Sequence, residues 1–281
     1  MDSATIVRDA SRCGTHTLGG LRLDWAVVCN VGRVRETNED AALVAPGIYL
    51  LADGMGGHDS GEIASEAALV TLADIPAMGE QTDTQIQLIE LLAVAQGKIG
   101  AIATESDRRA GTTATGAVLV THEGEPHWLV LNIGDSRTYR LQSGVLEQLT
   151  VDHSQVQEFV DAGFITREQA RVDPRRNVIT RALGAGMAEP QADFFSLAAL
   201  PGDIILVCSD GLTGELPDEE IADILGGAES AEVAAESLVE GALALGAHDN
   251  VTVVVVEVGA TVSEDGTFEE ATSDEGVEET D

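Results

Sequence analysis

The sequence predicts an α+β fold in which helices cover antiparallel sheets, and two observations predict it. Apolar runs rich in β-branched residues follow one another closely, separated by turn pairs such as Glu123-Gly124, Gly134-Asp135 and Ser143-Gly144. Links that short join antiparallel neighbours, because a parallel crossover takes about a dozen residues or more. Stretches with helical period also come in pairs between the strand blocks, the pattern of layered helices and sheets.

Taken in order, residues 1–22 are polar and glycine-bearing and read as a loose leader. Residues 23–29 read as a strand, 30–40 as a charged loop, and 43–44 with 48–52 as a hairpin turning at Pro46-Gly47. After Gly54, Gly56 and Gly57, a helix starts at Ser60 with Ile63, Ala64, Ala67, Ala68 and Val70 on its apolar face. A second helix spans 86–103, with Leu88, Ile89, Leu92, Val94 and Ile99 as core candidates. Strands follow at 113–120, 127–133, 137–141 and 145–149, then short helices at 155–162 and 166–170. The segment 172–186 carries Arg, Pro and Gly without a period. A strand at 204–208, helices at 218–225 and 231–245, and a strand at 251–258 complete one domain, 23–258. From Gly259 to Asp281 the chain is acidic and turn-prone, with too little apolar surface to offset ordering entropy; a disordered tail is expected.

A hydrophobic fraction of 44% supports a substantial core, and aromatics at 3% make it aliphatic. The net charge of −34 argues against nucleic-acid binding through phosphate neutralisation and against an anionic membrane surface. Cys13, Cys29 and Cys208 show no CxxC spacing and read as reduced thiols; with neither signal peptide nor membrane span in the sequence, a cytoplasmic setting is expected.

The acids are placed, not scattered. Asp53 is the first charge after the apolar run 48–52, and Gly54 follows it. Asp210-Gly211 repeats that arrangement after 204–208. Asp249 precedes the last strand, and Glu39-Asp40 precede an earlier one. An Asp-Gly pair alone is ordinary turn chemistry. Four such carboxylate groups at strand edges would meet at one end of a sheet, where mutual repulsion calls for cations. Oxygen ligands of this kind suit a hard divalent ion.

Several motifs, in order, resemble the metal-dependent protein Ser/Thr phosphatases of type 2C (the PPM family) in their compact bacterial form. They are Gly32-Arg33-Val34-Arg35 with Asn38-Glu39-Asp40, Ala52-Asp53-Gly54-Met55-Gly56-Gly57-His58, Gly111-Thr112-Thr113 and Gly134-Asp135-Ser136-Arg137. Asp152-His153-Ser154, Arg181-Ala182-Leu183-Gly184, Ser209-Asp210-Gly211 and Asp249-Asn250 continue the series. The resemblance implies a four-layer α-β-β-α sandwich of two antiparallel sheets flanked by helices, with two Mn2+ or Mg2+ ions at one edge. It places Asp53 between both ions, the Gly54 carbonyl on one, and Asp210 and Asp249 on the other, with Glu39 and Asp40 acting mainly through water. Arg35 takes the phosphate-gripping position, and Asp135 with Asp210 that of a third, looser metal; read without the resemblance, Asp135 is a turn aspartate paired with Arg137.

The implied activity is hydrolysis of phosphoserine and phosphothreonine in proteins by a metal-bridging water or hydroxide, opposing a bacterial Ser/Thr kinase, with the enzyme a monomer. Two such ions make a nucleophile at neutral pH and leave no need for a protein nucleophile. Met55 stands where animal relatives have a histidine, so a metal-bound water is the expected acid for the leaving group. His58 and His153 read as structural hydrogen-bonders. Cys29-Asn30 replaces a frequent Ser-Asp and removes one carboxylate near the site. Residues 151–183 resemble the flap beside the cleft, where Arg171, Arg175, Arg176 and Arg181 either attract an acidic phosphoprotein or balance local acids. The rival readings are a catalytically silent phosphatase-like regulatory module and a small-molecule phosphatase.

Overall fold

A computed structural model describes residues 4–56, 59–76, 78–102 and 109–260. His58 and the residues from 261 onward, including most of the expected tail, lie outside the described residues. Two strands, β1 (Thr5–Val7) and β2 (Ser11–Leu18), stand where the loose leader was expected. β2 turns at Gly19-Gly20 into β3 (Leu21–Asn30), pairing Leu18 with Leu21. Both glycines have positive φ, 57° and 74°, as a two-residue hairpin turn demands. β2 is a mostly exposed edge strand, so it carries no apolar run to betray it.

β4 (Ala41–Ala45) and β5 (Ile48–Ala52) form the expected hairpin, followed by the short β6 (Gly54–Met55) and the helices α1 (Asp59–Leu72) and α2 (Gln81–Gly100). Then come β7 (Gly111–Thr112), β8 (Ala114–His122), β9 (Glu125–Ile133), β10 (Arg137–Gln142) and β11 (Val145–Gln148). The flap contributes α3 (Gln155–Asp161) and α4 (Arg167–Val172), capped by the Ser154 and Thr166 side chains, and leads to β12 (Leu183–Gly184). β13 (Asp193–Ala198), absent from the sequence reading, is a half-buried edge strand on β9. β14 (Ile204–Cys208), α5 (Asp210–Thr213), α6 (Asp218–Gly227), α7 (Ala231–Leu245) and β15 (Val251–Ala260) close the chain. Gly259 and Ala260, assigned to the tail from sequence, pair with Arg22 and Leu21, so the strand outlasts its valines.

The two large sheets run β1-β4-β5-β8-β9-β13 and β11-β10-β14-β15-β3-β2, all pairs antiparallel; β12-β7-β6 make a small third sheet. Side chains alternate across each strand, which builds four layers. Leu43, Leu50 and Leu131 face the α1–α2 pair, while Val44, Tyr49 and Val130 face the other sheet. In β15, Val254 and Val256 enter the space between the sheets, and Val253 and Val255 meet α7. The expected helix stripes hold in part: Ala64, Ala68, Leu88, Leu92 and Ile99 are buried as expected. Ile63, Val70, Ile89 and Val94 are about half exposed, and Leu69, Leu72 and Ala95, which were not expected, complete the buried face against the sheet. Both helices carry apolar residues on more than one face, so period alone does not choose the buried stripe.

Candidate metal centre

Every acid singled out from the sequence lies at one end of the two sheets. Asp40 precedes β4 and Asp53 follows β5, where Ala41 pairs with Ala52. Asp210 follows β14 and Asp249 stands two residues before Val251 of β15, with Cys208 paired to Val253. Asp135 lies between β9 and β10, whose first residue, Arg137, pairs with Cys208.

The backbone that carries Asp53 is clamped by the Gly111-Thr112-Thr113 motif. The Asp53 amide donates to Thr113 Oγ1 (2.9 Å), and its carbonyl accepts from the Thr113 amide (2.9 Å) and the Thr112 hydroxyl (2.8 Å). The Gly54 amide donates to the Glu39 carbonyl (3.1 Å), joining two acid-bearing loops. A Cβ at Gly54 would strike the carbonyls of Gly61 and Glu39, so the close approach excludes any other residue.

Electrostatically the cluster is uncomfortable. Burial first, then Asp210 and Asp249, pushes Asp40 up to about 7, although the Ser209 and Thr252 hydroxyls hold it back. Burial and then Asp249 push Asp210 up to about 6, with Asp53 in hydrogen-bonding reach and partly offsetting the rise. Asp53 is held well above the ordinary carboxylate range by burial and by Asp40, and Asp135 by burial and by Asp210. Glu39 is also raised, chiefly by burial. Three buried oxygens, Glu39 Oε1, Asp40 Oδ2 and Asp135 Oδ1, have no hydrogen-bond partner. Such oxygens are costly unless something positive meets them, and an all-oxygen set fits Mn2+ or Mg2+. Among the described residues, no three His, Cys, Asp or Glu side chains are grouped so that they could hold a metal ion as they stand. Of the acids, Asp135 and Asp210 open onto a groove, while Asp40 is fully buried.

Neighbouring side chains brace this end of the molecule. Asn250 Nδ2 donates to the carbonyls of Val31 (2.9 Å) and Thr37 (3.0 Å), and its Oδ1 accepts from the Glu39 amide (2.9 Å). Asn38 Nδ2 reaches Asp9 Oδ1 (2.8 Å), and Arg8 donates to the Asn38 carbonyl (2.7 Å) and the Ser65 hydroxyl (3.1 Å). Arg8 and Asp9, inside the supposed leader, thus support the loop that bears Glu39 and Asp40. Sequence reasoning missed them; the available signal was the Gly19-Gly20 hairpin that folds this end into the domain. Arg35 hands Nη2 to Asp249 Oδ2 at 2.6 Å. Asn30, in place of an aspartate, accepts the Gly32 amide (2.9 Å), and Cys29 is buried with its thiol pushed up to about 11.

Arg137 does not pair with Asp135. Its Nε and Nη2 grip Asp152 (2.9 and 2.7 Å), leaving Asp135 buried with an open oxygen. His153 is a structural hydrogen-bonder: Nδ1 accepts the Gly134 amide (3.1 Å), which places the proton on Nε2, 3.0 Å from Asp193. The flap arginines divide. Arg175 holds Asp173 (2.8 and 2.7 Å) and covers the Phe159 ring at 4.6 Å, and Arg181 reaches Asp193 (3.0 Å). Arg171 and Arg176 face a groove beside Asp135 and Asp210, together with Arg167, which the sequence reading did not single out.

The family description "Protein phosphatase 2C" matches residues 33–244. The serine/threonine phosphatase Stp of Listeria welshimeri is 36% identical over 238 residues, covering 80% of this chain and 92% of its own. PstP of Mycobacterium tuberculosis, a serine/threonine protein phosphatase, is 40% identical over 240 residues, 85% of this chain but only 45% of the longer relative. The solved catalytic domain of PstP in complex with two manganese ions aligns with a TM-score of 0.71 at 33% identity, covering 85% of this chain and 99% of that one. No helix among the described residues is long and apolar enough to cross a membrane. The chain is an enzyme of the protein phosphatase 2C (PPM) family, a protein-serine/threonine phosphatase like its bacterial relatives.

Proposed function

We infer that the chain hydrolyses phosphoserine and phosphothreonine in proteins with the help of two, or with a third looser site three, Mn2+ or Mg2+ ions. The observation that carries this is the set of buried carboxylate oxygens without partners at the meeting end of both sheets. Asp53, whose backbone is clamped by Thr112 and Thr113, would hold both principal ions, the Gly54 carbonyl one of them, and Asp210 and Asp249 the other. Glu39 and Asp40 would act through water, and Asp135 with Asp210 would form the looser site. Bound there, the ions supply positive charge and the Lewis acidity that readies a water for in-line attack on phosphorus.

The remaining work belongs to the chain. Arg35 can turn from Asp249 to a substrate phosphate, because a planar guanidinium presents paired donors to two oxygens. Asn250 keeps the Arg35 loop against β15 while that exchange occurs. Met55 has no proton to give, so the leaving serine or threonine oxygen takes its proton from water.

We place this activity in the cytoplasm, acting as a monomer and opposing a Ser/Thr kinase; the three cysteines, all unpaired, accord with a reducing setting. The test is a panel of phosphothreonine and phosphoserine peptides against nucleotides, with Mn2+. Peptide turnover with little nucleotide turnover supports the reading. Preference for nucleotides would point to a small-molecule phosphatase, and no turnover to a silent regulatory module.

A further inference from the structure

A groove of about 150 Å3 runs from Asp135 and Asp210 to the flap. Its flap wall carries Arg167 and Arg171 of α4 and Arg176 just beyond it. Among the described residues, none of these three guanidinium groups has an ion pair or side-chain hydrogen bond, whereas Arg175 and Arg181 nearby both do. In a chain with 49 acids and 15 lysines and arginines, arginines that served only to balance local acids would be paired. The groove's own acids are committed elsewhere. Asp152 is held by Arg137, and Asp218 contacts Arg137 and the Tyr139 hydroxyl. Asp135 and Asp210 belong to the metal centre proposed above. The uncommitted charge facing the groove is therefore positive, and it stands beside the site of hydrolysis.

We propose that this groove is a second anion subsite, which takes a phosphoryl or carboxylate side chain of the same polypeptide whose phosphoserine or phosphothreonine is being hydrolysed. The proposal rests on the phosphatase reading of the adjoining cleft. Guanidinium groups suit either anion through paired planar donors. The volume is below the roughly 300 Å3 of pockets that enclose whole small molecules, which favours a single side chain over a free metabolite. The flap thereby selects multiply phosphorylated or acidic segments, a substrate preference opposite to what the chain's net charge alone would suggest.

The experiment compares kcat/KM, with Mn2+, for a neutral monophosphorylated threonine peptide and two series derived from it. In one a second phosphothreonine, in the other a glutamate, stands at successive positions on either side. The parent enzyme is expected to favour at least one such peptide about tenfold, through KM, as a few exposed charge pairs allow. That preference should fade in high salt. The variant Arg167→Gln/Arg171→Gln/Arg176→Gln should lose it, and the three lysine replacements should recover part. All three side chains are exposed, and turnover of para-nitrophenyl phosphate checks that the variant is folded. A response to the phosphorylated series alone, or to both series, identifies which anion the groove takes. No preference in the parent, or a preference that survives the triple variant, overturns the subsite. Failure to hydrolyse any phosphopeptide, the neutral one included, overturns the phosphatase reading as well.

Discussion

The acid end of the sheets and the flap beside it are built on opposite terms. At the sheet ends the backbone is held at almost every step: Asp53 by two threonines, Gly54 by Glu39, and the 31–39 loop by Asn250. The carboxylate oxygens are what that bracing leaves open. In the flap the order is reversed. Its helices are short, its arginines are exposed except the half-buried Arg181, and the guanidinium groups of three of them pair with no neighbour among the described residues. Buried charge must be held in place and then neutralised by something brought in, because desolvation is severe. Exposed charge needs no brace; it needs only the absence of a competing partner.

The strongest way to break the comparison is at its most braced point. Asp53→Asn should lower kcat on a phosphothreonine peptide at least about a hundredfold while the far-ultraviolet circular dichroism stays unchanged. Undiminished turnover would remove the buried acids from the chemistry. Asn250→Ala attacks the brace and not the charge. It deletes three side-chain hydrogen bonds, worth about 3 kcal/mol together, and urea unfolding should show a loss of that size alongside a raised KM. Unchanged stability would mean the loop is held by something else.

Two further substitutions test the boundary between the regions. Arg35 is half exposed yet paired with a buried-site acid, so it belongs to both. Arg35→Ala should raise KM about tenfold with a smaller effect on kcat, and Arg35→Lys should restore only part of the loss. If both variants match the parent, the Asp249 pair is an ordinary surface contact. The smallest effect is expected at the margin of the cluster, where Asp135 sits next to the groove. Asp135→Ala should lower kcat severalfold, on the order expected for a peripheral ligand, and leave tight Mn2+ binding intact by calorimetric titration. Lost tight binding would move Asp135 into the principal site.

The difference between the regions also governs what the sequence disclosed. Asp53, Asp210 and Asp249 were legible because each stands where an apolar run meets a charge, and strand periodicity tells which end that is. Strands buried on both faces, such as β4, β5 and β15, announce themselves by composition. β2 and β13 did not, since edge strands carry polar residues and lack a continuous apolar run. Arg8 and Asp9 were hidden with them, because their partners lie about thirty residues away or more. Nor could spacing separate the flap arginines with paired guanidinium groups from the others: Arg175 and Arg176 are adjacent, and only the first gives its guanidinium to Asp173. Pairing of exposed side chains is decided by where the local backbone aims them.

The central claim is that divalent cations complete a cluster the fold cannot satisfy alone. The direct measurement follows thermal unfolding and phosphothreonine-peptide hydrolysis on the same sample, first with a chelator and then across a Mn2+ titration. The account predicts no hydrolysis in chelator, recovery with Mn2+, and a melting temperature that rises over the same concentrations, by linkage between binding and folding. Asp53→Asn should lose both responses. Full turnover in chelator, or a melting temperature indifferent to Mn2+ in the parent, would contradict it.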